Sequence, residues 1–431
     1  MLNRLEDYRR DLYQCGRCGY CKWVNAPAMK SNEFSKICPS FVDGKFHAYA
    51  CGGKLNIAWC LLEGNFDYSD KMLDAVYRCT LCGACEMSCN VVSGNRIANN
   101  EILHALRVKC VEDGQMLPEH QAMIESLKKE DTPLVGESKA KRGDWAEGLG
   151  LKDATKEKVD VLFHAGCRFS FDKDLREIVR ADATILKKAG VDLGIGGREE
   201  ACCGGRALHL GFMNETEKYA DDMISKLKLS GATKIVTPCA DCYGNYKYYY
   251  PWIERKLGVQ VLHITEFFEQ LIKAGKLKFK KQVPMRVTFH DPCHLGRLGE
   301  NYETWNGEWK KARGHLIISE PVRPLHTGAG GVYEPPRNIL KAIPGLELAE
   351  MERNKVNTWC CGAGGGALEA FPDFAFRTAM ERIKEAKATG AEALVTSCPW
   401  CERNFKNALE ESGSKFKVYD ITELITMAKE K

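Results

Sequence analysis

Long apolar runs are absent from this sequence of 431 residues. No window reaches 18 uncharged apolar residues, so the sequence predicts no transmembrane helix. Its first residues, MLNRLEDYRRDLYQC, mix charges of both signs and lack the apolar stretch of a signal peptide. An excess of charge of one sign is missing too, because 62 basic and 58 acidic residues are interspersed along the chain. We therefore expect a cytoplasmic protein that neither spans a membrane nor binds nucleic acid.

A dinucleotide-binding fingerprint is also missing. The glycine-rich stretch at 362–366 does not form a Gly-x-Gly-x-x-Gly motif between a strand and a helix. The sequence contains no flavin or nicotinamide motif elsewhere. We therefore expect any two-electron donor or acceptor to lie on a partner protein.

Cysteine, by contrast, is abundant, with 21 residues. The number is odd, and the chain is far longer than the small secreted domains that disulfides hold together. Thiols at short spacings in a reducing compartment indicate metal or redox chemistry. A charged, cysteine-free stretch at 111–158 divides the cysteines into two populations, and we interpret it as a helical linker.

The N-terminal population contains two ferredoxin-like motifs. Cys79-Thr-Leu-Cys82-Gly-Ala-Cys85-Glu-Met-Ser-Cys89 has the Cys-x2-Cys-x2-Cys-x3-Cys spacing of bacterial ferredoxins, which favours a [4Fe-4S] cubane over zinc. Cys15-Gly-Arg-Cys18-Gly-Tyr-Cys21 repeats the triple, but its fourth cysteine is delayed to Cys38, which precedes a proline.

In two-cluster ferredoxins the fourth cysteine of each run binds the other cluster. The spacing therefore predicts two cubane sites, one on Cys15, Cys18, Cys21 and Cys89 and the other on Cys79, Cys82, Cys85 and Cys38. Cys60 and Cys110 are expected to be packing residues, since free cysteine is among the most buried residue types. For Cys51 the sequence leaves a ligand role and a packing role equally open.

The C-terminal population is an internal repeat. Four segments recur in the same order, and the pairs are Leu162-Phe-His-Ala-Gly-Cys167 with Thr288-Phe-His-Asp-Pro-Cys293, Ala201-Cys-Cys-Gly-Gly205 with Trp359-Cys-Cys-Gly-Ala363, Thr237-Pro-Cys-Ala-Asp-Cys242 with Thr396-Ser-Cys-Pro-Trp-Cys401, and His263-Ile-Thr-Glu-Phe267 with Asp420-Ile-Thr-Glu-Leu424. Between the two copies, the Cys-Cys pairs and the Cys-x-x-Cys pairs are farther apart in sequence than the leading cysteines are. The second copy therefore contains an insertion, which we place near 301–330. That insertion is a lid, a docking surface or a simple elaboration.

Each copy supplies five cysteines, one more than a cubane uses. Either one cysteine is not a ligand, or the cluster is not a cube and a thiolate bridges two irons. The adjacent cysteines suit bridging, with Gly204 and Gly362 relieving the crowding of the backbone against the cluster. A thioredoxin-type dithiol at Cys398 and Cys401 and a zinc site are alternatives. The candidate catalytic residues are Cys202, Cys203, Cys360, Cys361, His164 and His290.

Strands and helices alternate in both copies. We predict strands at 159–164, 234–237, 259–264, 287–289, 393–396 and 418–421, and helices at 172–189, 214–229, 372–389 and 402–411. This order is typical of parallel sheets, whose ligands gather at the carboxyl ends of the strands. The predicted fold class is α+β overall, with a helical ferredoxin-like domain at 1–110, the linker at 111–158, and two α/β repeats at 159–282 and 283–431.

These motifs resemble those of the CCG-domain iron–sulfur oxidoreductases. The repeat pair resembles the B subunit of heterodisulfide reductase, and the ferredoxin-like module in front resembles the D subunit. The resemblance implies two noncubane [4Fe-4S] clusters, one on Cys167, Cys202, Cys203, Cys239 and Cys242 and the other on Cys293, Cys360, Cys361, Cys398 and Cys401. The delayed Cys38 and the long insertion depart from the heterodisulfide reductase pattern.

The resemblance implies an electron-transfer subunit of a soluble anaerobic redox complex. It would carry two cubane and two noncubane clusters and work with a flavoprotein or other iron–sulfur subunits. The same domain pair occurs in the iron–sulfur subunits of lactate- and glycolate-type oxidases and in the D subunit of class II benzoyl-CoA reductase complexes. The leading hypothesis is that this chain is a subunit of the last kind. A catalytic disulfide reductase is the second hypothesis, and a redox-inactive zinc scaffold is the third.

Overall fold

The computed structural model describes residues 4–94, 96–314 and 316–429. Its N-terminal region is helical. The α-helices are α1 (Arg9–Gln14), α2 (Pro39–Gly44), α3 (Cys51–Leu62), α4 (Asp70–Tyr77), α5 (Ala84–Ser93) and α6 (Asn99–Glu112). Buried apolar residues such as Leu12, Leu55 and Leu106 form one core between these helices. Cysteines of both ferredoxin-like motifs belong to this core or pack against it, Cys21 and Cys79 among them.

The first repeat is built on a five-stranded parallel sheet. Its strands are β1 (Lys152–Asp153), β2 (Val161–Phe163), β3 (Leu193–Ile195), β4 (Lys234–Thr237) and β5 (Gln260–His263), in the order β1-β3-β2-β4-β5. Helix α7 (Pro118–Glu130) precedes the sheet. The helices that cover and connect the strands are α8 (Gly166–Phe171), α9 (Arg176–Lys188), α10 (Gly205–Leu210), α11 (Met213–Ser230), α12 (Ala240–Gly244), α13 (Tyr250–Trp252) and α14 (Ile264–Lys273).

The second repeat has a four-stranded parallel sheet. Its strands are β6 (Met285–Phe289), β9 (Leu346–Ala349), β10 (Ala393–Thr396) and β11 (Lys417–Asp420). A separate antiparallel hairpin of β7 (Glu308–Ala312) and β8 (Leu316–Glu320) comes between β6 and β9 along the chain. Its helices are α15 (Glu334–Ala342), α16 (Ala367–Ala370), α17 (Pro372–Ala388), α18 (Pro399–Glu411) and α19 (Ile421–Ala428).

Strand order supports the internal repeat. With β1 left aside, the order β3-β2-β4-β5 corresponds to β9-β6-β10-β11. In each repeat the first strand of this shared set, β2 or β6, therefore lies between the second, β3 or β9, and the third, β4 or β10. In such doubly wound sheets the crevice between the first and third strands is the topological switch point, where ligands bind. The predicted fold class of helices and parallel sheets is confirmed.

Two details differ from the sequence-based expectations. The short strands β3 and β9, each only three or four residues long, were not predicted. In addition, the stretch interpreted as a linker contributes β1 to the first sheet, where Lys152 pairs with Gly194. A strand of two residues has no recognisable periodicity, so only the pairing reveals it.

The insertion in the second repeat forms the β7–β8 hairpin and packs against the N-terminal helices. Arg323 forms an ion pair with the buried Asp11 at 2.7 Å, and the guanidinium of Arg10 lies 4.2 Å from the ring centroid of Trp309. These contacts attach the second repeat to the N-terminal region. Among the described residues, no helix combines the length and the apolar character needed to cross a bilayer.

Candidate functional site

The leading cysteine and the first cysteine of the Cys-x-x-Cys pair follow neighbouring strands in each repeat. Cys167 follows β2 and Cys239 follows β4, while Cys293 follows β6 and Cys398 follows β10. Because these strands flank the switch point, their carboxyl ends bring the two motifs together. The Cys-Cys pair enters the same crevice from the loop after the second strand of the set, β3 or β9. All ten cysteines are buried.

The five thiols of each repeat form one continuous chain of sulfur contacts. In the first repeat the order of neighbouring thiols is Cys167, Cys202, Cys203, Cys242 and Cys239. In the second repeat the order is Cys293, Cys360, Cys361, Cys401 and Cys398. The two orders correspond position by position, so both repeats collect five sulfurs into one buried cluster.

The second cysteine of each adjacent pair is unusually acidic for a thiol. Hydrogen bonds from the Cys202 and Cys242 thiols lower the pKa of Cys203 to about 5. Hydrogen bonds from Cys360 and Cys401 lower the pKa of Cys361 to about 5 in the same way. Because the thiolate is the form that binds metal, both sites favour the ligand form of a central sulfur.

Gly204 and Gly362 have a role that the sequence did not predict. Both have left-handed backbone, with φ of +80° and +97°. A Cβ at Gly362 would lie 2.7 Å from the carbonyl oxygen of Ala375, in helix α17, rather than against the sulfurs. Each glycine amide instead donates to the first sulfur of its pair, at 3.4 Å from Cys202 or Cys360. The structure thus gives these glycines two roles, close packing of the Cys-Cys pair against a later helix and a hydrogen bond to the first sulfur.

An asparagine in each repeat was missed. Asn404 donates from Nδ2 to the carbonyl oxygen of Cys361 at 2.7 Å, and Asn245 makes the equivalent bond to Cys203. Both asparagines follow the last cysteine of their motif by three residues. That shared spacing was the signal in the sequence. These bonds fix the backbone of the Cys-Cys pair against the Cys-x-x-Cys helix.

The two predicted histidines lie in different surroundings. His290 Nδ1 accepts a hydrogen bond from Arg382 Nε at 3.1 Å, and a ring nitrogen lies within 4.8 Å of the Cys361 and Cys401 sulfurs. Because arginine only donates, the proton of neutral His290 is on Nε2. His164 lies 3.6 Å from Glu200 instead. Burial lowers the pKa of both rings, that of His290 to about 3, so both are neutral at physiological pH.

The N-terminal region contains a small cavity whose walls carry cysteines. Its cysteines are Cys38, Cys79, Cys82, Cys85 and Cys51. The first four are the set predicted for one cubane. Lys54 lies beside Cys38 and Cys79 and opposes the rise in thiol pKa that burial causes there. The structure thus brings this predicted set together around a space.

The other predicted N-terminal set lies next to it. Cys21 is buried close to Cys15, Cys89 and Cys85, and burial raises its pKa to about 12. Cys18 is in the same loop and is the only exposed cysteine of the 21, all of which lie in the described ranges. Cys51 contacts Cys85 from the start of α3, so it lies between the two sets rather than within either. Cys110 is buried in the N-terminal core, as expected for a packing residue.

Contacts between thiols also connect neighbouring sites. The Cys82 thiol of the N-terminal cavity lies next to the Cys360 thiol of the second repeat. The Cys398 thiol of the second repeat lies next to the Cys239 thiol of the first. The sites therefore lie in a row, with the second repeat between the N-terminal region and the first repeat.

A buried polar chain lies at the junction of the two repeats. Asp241 Oδ1 is 3.2 Å from His294 Nδ1, and His294 Nε2 is 3.2 Å from His209 Nε2. Arg206 Nε lies 3.3 Å from the other oxygen of Asp241, and its guanidinium stacks on Trp400 at 3.7 Å. Asp241 and His294 adjoin cysteines in the sequence. His209 and Arg206 carry no such signal.

The donor sets fit iron–sulfur chemistry. Iron–sulfur clusters are held by cysteine thiolates. A closed structural zinc site can also use thiolates, but it binds only four ligands. Five buried sulfurs in continuous contact exceed the needs of one zinc ion. The N-terminal cavity, lined by a complete ferredoxin-type set, fits a cubane in the same way.

Comparison with known proteins agrees with this chemistry. The cysteine-rich CCG domain matches residues 161–247 and 324–406. The D subunit of dihydromethanophenazine:CoB--CoM heterodisulfide reductase from Methanosarcina acetivorans is 30% identical, with 97% of this chain and 94% of that protein covered. The Methanosarcina mazei protein of the same name is 31% identical with the same coverage. EtfAB:quinone oxidoreductase of Syntrophomonas wolfei is 27% identical over 97% of this chain and 58% of that protein.

A hypothetical protein from Helicobacter pylori has a similar fold, with a TM-score of 0.52 at 9% identity over 89% of this chain and 68% of that one. At that identity the likeness concerns the fold alone. The sequence relatives carry the assignment. The protein is an oxidoreductase subunit of the iron–sulfur class, and the chain belongs to the CCG-domain family that includes the D subunit of heterodisulfide reductase.

Proposed function

We propose that this chain is an electron-transfer subunit with four cluster sites in a row. Two cubane [4Fe-4S] clusters would occupy the N-terminal sets, one on Cys15, Cys18, Cys21 and Cys89 and the other on Cys38, Cys79, Cys82 and Cys85. Two noncubane [4Fe-4S] clusters would occupy the five-cysteine sets of the repeats. When bound, such clusters accept and release single electrons.

The observation that carries the proposal is the pair of thiol contacts between sites. Cys82 meets Cys360, and Cys398 meets Cys239. Four independent structural metal sites would have no need to touch. A row in which neighbouring sites lie this close together is instead an arrangement that supports electron transfer between them. We infer that electrons move between the N-terminal region and the first repeat by way of the second.

The exposed end of this row is the Cys18 surface, which we define as Arg17, Cys18, Tyr20, Lys22 and Phe46. Tyr20 and Phe46 are exposed, and the charges of Arg17 and Lys22 both act on the neighbouring His47, helping burial to lower its pKa. The two acidic residues of segment 13–49 form ion pairs with basic residues that lie outside this segment. Glu33 pairs with Lys384, and Asp43 pairs with Arg78 and Arg377.

The basic, aromatic Cys18 surface fits an acidic electron-carrying protein, because complementary charge steers association. We propose that the donor or acceptor of a redox complex, either a flavoprotein or another iron–sulfur protein, docks there. The heterodisulfide reductase and EtfAB:quinone oxidoreductase names of the relatives support a place in such a complex.

Metal analysis of anaerobically purified protein tests the cluster assignment. We expect about 16 irons and a similar amount of acid-labile sulfide per chain, from four clusters of four irons. Electron paramagnetic resonance (EPR) of the reduced and oxidised protein should separate cubane from noncubane signals. Zinc with little iron would overturn the proposal.

The docking surface leads to a kinetic prediction. Replacing Lys22 by glutamate should slow reduction by an acidic flavodoxin roughly tenfold at low salt, because it reverses one of the charges that steer association. Stopped-flow measurements at increasing ionic strength should show this difference shrinking as salt screens the charges. Lys276→Glu, the same charge change at an exposed lysine after α14, is the control and should react like the unaltered protein. Equal rates for both variants would place the docking site elsewhere.

A catalytic disulfide reductase is the second candidate. The observation in its favour is the buried chain of Asp241, His294 and His209 beside the Cys239–Cys398 contact, since disulfide reduction also needs protons at the sulfurs. Reduction of a mixed disulfide by the purified protein with an artificial electron donor distinguishes this function from electron transfer alone.

A further inference from the structure

We propose that Arg142 makes the cluster site of the first repeat easier to reduce, by donating a hydrogen bond to a ligand sulfur and holding a positive charge beside it. The inference rests on the proposed cluster assignment. Arg142 lies in the stretch at 111–158, outside both segments that match the CCG domain. Neither the spacing of the cysteines nor the repeat pointed to it.

The guanidinium of Arg142 is held in a fixed position. Its side chain is fully buried, and Nη2 donates to Cys167 Sγ at 3.3 Å and to the carbonyl oxygen of Asp131 at 2.6 Å. Nη1 lies 3.3 Å from Glu200 Oε1. The Asp131 carbonyl also accepts the backbone amide of Cys202 at 3.1 Å. One carbonyl thus connects the arginine to two cysteines of the same set.

Glu200 completes this arrangement from the opposite side. Its carboxylate accepts the backbone amides of Ala165 and Gly166 at 3.2 and 3.3 Å, directly before Cys167. An arginine guanidinium stays protonated throughout the physiological pH range. Arg142 is therefore a permanent cation at the sulfur of the leading cysteine.

The second repeat is built differently at the equivalent position. Cys293 Sγ is 3.3 Å from His294 Nδ1, so the group next to this leading sulfur is an imidazole nitrogen rather than a guanidinium. Arg297 lies near Cys293 as well, but its hydrogen bonds go to the carbonyl oxygens of Cys82, Val356 and Thr358. Among the described residues, an arginine donates a hydrogen bond to the sulfur of a repeat cysteine only at Cys167.

The effect on reduction follows from charge. One-electron reduction adds a single negative charge to the site, with no bond formed or broken in the chain. A cation and a hydrogen bond to sulfur stabilise the more negative state, and both raise the reduction potential of iron–sulfur centres. Because the site is buried, solvent screens this interaction little. Arg142 would thus stabilise an added electron in the first-repeat site, which is the site farthest from the Cys18 surface.

Two substitutions test the proposal by shifts in opposite directions. Arg142→Met removes the cation and the hydrogen bond, whereas Glu200→Gln removes the opposing negative charge and leaves the arginine in place. Redox titration of the full-length, cluster-loaded protein, followed by EPR, measures each site. We expect Arg142→Met to make the first-repeat site at least about tenfold harder to reduce, which is 59 mV for a one-electron couple. Glu200→Gln should make it easier to reduce.

The second-repeat signal is the internal control and should keep its potential in both variants. Cys203→Ser, which removes a ligand of the first-repeat site, identifies which signal belongs to that site. An unchanged first-repeat potential in Arg142→Met, or shifts of the same sign in both variants, would overturn the role of Arg142. If Arg142→Met does not fold, Arg142→Gln, which removes the cation but keeps an amide donor, replaces it, and the first-repeat site should again become harder to reduce. Absence of noncubane signals from the unaltered protein would instead overturn the proposed function.

Discussion

Replacing Cys361 by serine should interrupt electron flow at the middle of the row. Cys361 is the central thiolate of the second-repeat set, so its loss should remove about four of some 16 irons. That set contacts both Cys82 and Cys239 through its neighbouring thiols. With reduced flavodoxin as donor, we expect the cubane signals to develop in rapidly frozen samples while the first-repeat signal stays oxidised. Dithionite, a small reductant, should still reduce that site directly.

The equivalent cysteine of the first repeat is the matched control. Cys203→Ser changes the same chemical position and should remove the same amount of iron. Because the first repeat lies at the end of the row, the remaining three sites should still accept electrons from flavodoxin. Reduction of the first-repeat site at the normal rate in Cys361→Ser would show that electrons reach it by another route.

The cysteine spacing predicted a large part of this site. A spacing of two or three residues places thiols on one turn of chain, and the internal repeat showed that the same five positions recur. The strands before Cys167, Cys239, Cys293 and Cys398 were also predicted, because each is a short apolar run directly before a cysteine motif. The grouping of Cys38 with Cys79, Cys82 and Cys85 came from the ferredoxin pattern, and the cavity brings those residues together.

The relations between sites were not predictable in this way. Cys82 and Cys360 are 278 positions apart in the chain, and no local pattern records that they meet. Arg142 belongs to a charged stretch in which an exposed arginine is the ordinary expectation. Its burial follows from the packing of that stretch against the first repeat, where Gly143 lies close to the backbone of Gly197. Such contacts are properties of the tertiary fold.

The glycine after each Cys-Cys pair was recognised in the sequence, but its physical role follows only from the backbone. Replacing Gly362 by alanine should be among the most destabilising single changes. Left-handed backbone strains an alanine, and the new methyl group would lie 2.7 Å from the Ala375 carbonyl and 2.9 Å from Asn404 Nδ2. Strain and overpacking together should cost roughly 2–6 kcal/mol. Since Asn404 also holds the Cys361 carbonyl, the displaced backbone should impair iron binding in the second repeat.

Gly413→Ala is the control, because it introduces the backbone strain without the steric overlap. Gly413 also has left-handed backbone, with φ of +64°, but a Cβ there would meet nothing within 4 Å. That variant should therefore lose only about 1 kcal/mol through strain and keep its full iron content. Anaerobic thermal unfolding and iron per chain measure both effects. A melting temperature that falls equally in the two variants, with iron unchanged, would contradict the packing role, because only Gly362 is enclosed by helix α17 and the asparagine that holds the Cys-Cys pair.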